Sequence, residues 1–142
     1  MAQIPAHIRV PANIGSLHTL LEFVRSCLGS QGIGEERLGE IELAMEEILV
    51  NIINYAYPDR QGEIEISCGF DGGGGLQVEI SDQGIPFDSL SRENPDLQAD
   101  IAERSIGGLG VFFVKQLIPA IRYRWEDVRN ILTLPIDPNP LL

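Results

Sequence analysis

Apolar residues recur every three or four positions at Leu38, Ile41, Met45, Ile48, Leu49, Ile52 and Ala56. That is helical periodicity with one buried stripe. It predicts a long helix opened by Glu35 and Glu36, whose charges suit the positive end of the helix dipole, and ended before Pro58. A shorter stripe of Leu17, Leu20, Leu21, Val24 and Leu28 predicts a helix over 16–28, with Asn13 or Ser16 as its cap and Gly29 closing it. Elsewhere the period falls to two. Residues 6–10 read as a short strand ended by Pro11. From Glu63 to Phe70, Ile64, Ile66, Cys68 and Phe70 share one side, and Leu76, Val78 and Ile80 repeat the pattern after a flexible DGGGG tip. This is an antiparallel hairpin covered on one face. A second strand pair follows near the end: Ile121, Tyr123 and Trp125 oppose Arg122 and Arg124, and after a turn at 126–130, Leu132, Leu134 and Ile136 line one face. Between the two pairs, residues 88–106 are polar, without a core pattern; a loop of that length reads as a lid. A glycine-rich turn at 107–110 then feeds an apolar helix over 111–118, stopped by Pro119.

Helices and antiparallel strands are mixed, without regular β-α-β alternation. The expected fold is α+β, a two-layer sandwich with a mostly antiparallel sheet and helices on one face. A single domain spans 1–142, with a loose tail over 137–142.

Charge narrows the function. The 142 residues carry 10 Lys and Arg against 21 Asp and Glu, a net charge of −11. That argues against direct nucleic-acid binding, which needs a basic surface against phosphates. A nucleotide remains open to an acidic protein if a metal and backbone amides meet its phosphates. Cys27 and Cys68 each sit in an apolar pattern and fit no metal spacing, so buried reduced thiols are expected. No stretch has the length of a membrane span and the N-terminus has no signal-like run, so a cytoplasmic location and no membrane partner are expected.

Candidate chemistry gathers in three places. Glu47 and Asn51 lie one turn apart on one helix face, at the flank of the buried stripe. A carboxylate and an amide oxygen so placed suit a hard cation or a proton-accepting role, although for the pair taken alone plain solvent exposure is the commoner case. Asp82 stands where the hairpin's second strand gives way to Gly84 and Pro86. Its carboxylate can accept a hydrogen bond from an exocyclic amine such as adenine's, or close an Asx turn, and the two readings stand even. Gly107, Gly108 and Gly110 precede a helix, where free amides and the dipole favour an anion, although a tight turn needs the same residues.

In this order, a Glu-x-x-x-Asn helix, an Asp-x-Gly-x-Pro-Phe-Asp strand end (Asp82 to Asp88) and a Gly-Gly-x-Gly helix start, the motifs resemble the ATP-binding fold shared by gyrase, Hsp90, histidine kinases and MutL. Within it, the compact chain resembles the anti-sigma-factor serine/threonine kinases of bacterial partner-switching systems. The resemblance implies ATP and Mg2+ as cofactors. It makes Asn51 the magnesium ligand and Glu47 the general base. Asp82 becomes the adenine contact, and Gly84 allows the base to approach. Gly107, Gly108 and Gly110 become phosphate donors, and Arg104 a lid contact to the terminal phosphate, with Arg92 the weaker alternative. Lys115 could lie near the phosphates or merely extend along the helix. Tyr55 stands where the family often has histidine. The partners implied are a STAS-fold antagonist as phosphoryl acceptor and a sigma factor or similar client, with homodimers common among relatives. The alternative is an ATP-binding regulatory module without kinase activity.

Overall fold

The computed structural model describes residues 6–91 and 108–142. Five strands form one sheet: β1 (Ala6–Pro11), β2 (Glu63–Phe70), β3 (Leu76–Asp82), β4 (Arg122–Glu126) and β5 (Arg129–Pro135). Their order is β1-β2-β3-β5-β4, and every neighbouring pair is antiparallel. Three helices, α1 (Leu17–Ser30), α2 (Glu35–Tyr55) and α3 (Gly108–Leu117), complete the described fold. The α+β two-layer expectation is met.

The alternation in the strands decides which face is covered. Ile64, Ile66 and Cys68 of β2, Val78 and Ile80 of β3, and Leu132 and Leu134 of β5 all point into one core with the stripe of α2. Met45 and Leu49 of α2 are fully buried there. Each such side chain contributes about 1.5–3 kcal/mol through removal of its surface from water. The opposite sheet face carries mostly polar alternates and is open over β1 and β2, while Ser81, Ile131 and Thr133 on β3 and β5 are buried.

Local details depart from the pattern reading in four places. Helix α1 runs through Gly29 to Ser30, and the left-handed residue that follows is Gly32, at φ 91°. The glycine hairpin tip is not loose: Asp71 Oδ1 accepts from Gly73 N at 2.8 Å and Gly75 N at 2.9 Å, which fixes the turn. The tail after β5 is tied to α2. Arg37 Nε donates to Asp137 O at 2.7 Å, and Glu40 accepts from the backbone amides of Leu141 and Leu142. Burial pushes the Glu40 carboxyl up, but those two amides and Arg37 outweigh it and hold the pKa below the usual range. Both Arg37 and Glu40 are buried.

The fourth departure concerns the cysteines. Cys27 of α1 and Cys68 of β2 form a disulfide, and no free cysteine remains. The expectation of reduced thiols is therefore corrected. Both residues occupy apolar positions because α1 packs on β2, and that packing brings the two sulfurs together.

Candidate functional site

The end of β3 is held by an element that pattern reading treats as a turn residue. Asn130, the second residue of β5, is 5% exposed and points inward. Its Nδ2 donates to Asp82 Oδ1 at 2.9 Å and to Ile85 O at 2.8 Å. Its Oδ1 accepts from Phe87 N at 2.9 Å and from Tyr123 Oη at 2.7 Å. One amide thus satisfies four groups and locks the Asp82–Phe87 turn onto β5 and β4. Register explains the meeting: Asp82 pairs directly with Asn130 across β3 and β5.

Of the two readings of Asp82, the Asx turn is the one the structure contains, and it leaves the second carboxylate oxygen over for a ligand. Its Oδ1 accepts from Gly84 N at 2.9 Å, which is the Asx turn. Its Oδ2 has no hydrogen bond among the described residues, and the side chain lines a cleft shared with Asn51, Ala56, Phe87 and Ser89. Burial pushes the Asp82 carboxyl above the usual range, and the Asn130 and Gly84 hydrogen bonds only partly oppose this. A buried carboxylate with a spare oxygen is matched to a ligand donor such as an amine.

Gly84 is required where it stands. A Cβ there would collide with the carbonyl of Ala56, at the end of α2. That close approach also brings Ile85 N within 2.9 Å of Ala56 O. The strand end and the helix end are therefore one rigid unit, and the cleft lies between them. Tyr55 stands at its edge with its ring 6.4 Å from that of Phe87.

Asn51 is 5% exposed and faces the same cleft as Asp82. Among the described residues its side chain has no hydrogen bond, so its oxygen stays available. One turn earlier, Glu47 is half-buried and lies against Gly110, where a Cβ would overlap its carboxylate. Glycine at 110 therefore lets the first turn of α3 sit against Glu47. The helix start at Gly108 agrees with the glycine-rich turn expected there. Lys115 is exposed in the last turn of α3, at the far end from the glycines, where it complements the helix dipole. Gly107, Arg104 and Arg92, with residues 92–106 of the expected lid, lie outside the described residues.

Asn51 and Asp82 thus line one cleft, with Gly84 packed on its Ala56 wall, while Gly110 lies against Glu47 at the start of α3. The donor set suits a nucleotide: an acceptor for a base amine, an amide oxygen for a hard cation and a helix start for phosphates. Asn130 was missed by motif reading. The signal was its parity: it falls two residues before Leu132, on the inward side of the strand.

A family model described as a histidine kinase-like ATPase domain matches residues 10–136. The serine-protein kinase RsbW of Listeria monocytogenes is 28% identical over 112 residues, covering 75% of this chain and 71% of that one. RsbW of Bacillus thuringiensis is 22% identical over 129 residues, covering 88% and 80%. Among solved structures, the RsbU and RsbW domains of Rv1364c from Mycobacterium tuberculosis align with a TM-score of 0.63 at 19% identity. That alignment covers 93% of this chain and 32% of the larger one, so the chain spans about a third of that protein's length. The histidine kinase domain of the Erythrobacter litoralis EL346 blue-light activated kinase aligns with a TM-score of 0.53 at 22% identity, covering 88% of this chain and 61% of that one.

Proposed function

Because the chain belongs to the histidine kinase-like ATPase domain family, we propose that it binds ATP with magnesium and transfers the terminal phosphoryl group to a serine or threonine of a partner protein. The observation that carries this reading is that Asn51 and Asp82 both line one narrow crevice between the end of α2 and the end of β3. The likeness to RsbW kinases supports the phosphoryl transfer and the partner class, a STAS-fold antagonist, with a sigma factor or similar client held in the other state. By the same likeness the protein works in the cytoplasm and a homodimer is open to it, and its net charge of −11 argues against direct nucleic-acid contact. Among the described residues no helix is long and apolar enough to cross a membrane.

In this reading Asp82 accepts from the adenine amine and Gly84 keeps the purine close to the backbone. Asn51 holds the magnesium ion, whose charge neutralises the phosphate oxygens during transfer. Gly107, Gly108 and Gly110 offer amides to the phosphates, and Arg104 closes over the terminal one. Glu47 accepts the proton of the attacking hydroxyl as its oxygen bonds to phosphorus and ADP leaves. Its place beside the start of α3, one turn from Asn51, supports that role.

The test is a phosphoryl-transfer assay with a STAS-fold acceptor. Glu47→Gln is expected to lower transfer by at least about a hundredfold, as loss of a general base does, with ATP affinity within about tenfold of the parent. Transfer that survives in this variant would remove Glu47 as the base. ATP binding without transfer in the parent protein would instead make it a nucleotide-binding regulatory module.

A further inference from the structure

The open face of the sheet holds a second cavity, about 310 Å³ in volume, and three arginines converge on it from separate parts of the fold. Arg9 comes from β1, Arg60 from the segment between α2 and β2, and Arg129 from β5. Sheet register explains the hollow. Arg9 pairs with Glu65, and Glu65 pairs with Ser81. The short Ser81 side chain leaves a dip between the longer side chains on either side. The wall at Ser81–Gln83 is the same strand end whose inward side carries Asp82.

The charges in this cavity are poorly matched. Arg9 Nη2 and Arg129 Nη1 reach the same Glu65 Oε2, each at 3.5 Å. The other Glu65 oxygen is taken by His7 Nε2. Arg60 donates to the backbone carbonyl of Gln83 and lies 5.5 Å over the Tyr57 ring, with no carboxylate partner among the described residues. Glu63 at the rim is exposed and forms no ion pair among the described residues. Arg9 and Arg129 therefore share one carboxylate and Arg60 has none, although Glu63 and Asp82 also line the cavity. Arg25 and Arg124, by contrast, each meet two carboxylates. In a chain of net charge −11 such a gathering is unexpected without an anion to receive it. Each guanidinium has five donors in a fixed fork suited to planar or tetrahedral oxyanions.

We propose that this cavity binds a small multivalent oxyanion, a phosphate or a polycarboxylate, held jointly by Arg9, Arg60 and Arg129. The site lies on the opposite face of the sheet from the Asn51–Asp82 cleft. It does not depend on the ATP reading, although Asp82 belongs to the lining of both cavities. The cavity is of the size that takes a small molecule, at the lower end of about 300–1,000 Å³.

The test is a set of amide nitrogen–proton spectra of the full chain, titrated with pyrophosphate, inorganic phosphate or citrate, with sodium chloride as the ionic-strength control. Saturable shifts are expected at Glu65, Ser81, Gln83 and Arg129. The arm with the tighter saturation tells phosphate from carboxylate. The double variant Arg9→Gln/Arg129→Gln should weaken binding at least about tenfold, since two charge-assisted forks are lost. Arg122→Gln, on the same sheet face but outside the cavity, should leave it unchanged. If the double variant loses its dispersed spectrum, Arg60→Gln carries the same comparison. Shifts that follow chloride equally, that saturate only near the start of α3, or that ignore the glutamine substitutions would overturn the proposal.

Discussion

Asn130 and Asp82 show how much of the site rests on two side chains. Asn130 satisfies Asp82, Ile85, Phe87 and Tyr123 at once. Asn130→Ala strands buried partners, each worth about 1–3 kcal/mol when left unmade. A loss of roughly 2–4 kcal/mol in urea unfolding is expected; a change under about 0.5 kcal/mol would show that the turn holds itself. Asp82 behaves oppositely. Its folded pKa is raised by burial. A group of that kind favours the folded state most below its unfolded pKa and loses that contribution as pH rises through its folded pKa. At neutral pH the ionised Asp82 is therefore a stability cost. Asp82→Asn should leave the thermal midpoint equal or higher at pH 7, with the advantage shrinking towards pH 4, while ATP binding falls. A clearly lower midpoint at pH 7 would mean that the carboxylate is structural. The sequence places Asp82 correctly because a strand end followed by Gly and Pro has few geometries. It leaves the choice between Asx turn and ligand contact open, because the turn uses one carboxylate oxygen and leaves the other, and a sequence does not distinguish them. Asn130 escapes motif reading because its partners lie on another strand.

At the scale of elements, helix α2 and the strands follow their hydrophobic periods closely. The stripe from Leu38 to Ala56 and the alternation in β2, β3 and β5 all reappear as core. Ends and cross-links are less legible. The β4–β5 turn puts Asp127 and Val128 at φ 53° and 60°, a paired left-handed turn that its residue types do not announce. The Cys27–Cys68 disulfide joins α1 to β2 across 41 residues. Two cysteines in apolar patterns look the same whether bonded or free, since burial alone sets the pattern. In the chain-entropy account a loop of that length is worth about 4 kcal/mol. The protein purified without reductant should resist alkylation under denaturing conditions and take up two labels after reduction. Its unfolding midpoint should then drop by a matching amount. Two labels before reduction would restore the free thiols expected from the sequence.

For the whole molecule, the layer order was legible because strands of period two and helices of period 3.6 leave few ways to share one core. The tail was not, because its anchor is the buried pair Arg37 and Glu40, which looks like ordinary helix-surface charge. The cleft, likewise, exists only once Gly84 has seated the end of β3 on the end of α2, and Gly110 separately lets α3 rest against Glu47. Those close approaches set the strand end on the end of α2 and the start of α3 beside Glu47, and the family model matches residues 10–136. The central claim is that this site binds ATP with magnesium through Asn51 and Asp82. Titration calorimetry with ATP, with and without magnesium, on the parent and Asp82→Asn proteins tests it most directly. Saturable, magnesium-dependent binding is expected, weakened by Asp82→Asn at least about a hundredfold, or roughly 2.7 kcal/mol. No heat up to millimolar ATP, or equal affinity in both proteins, would contradict it.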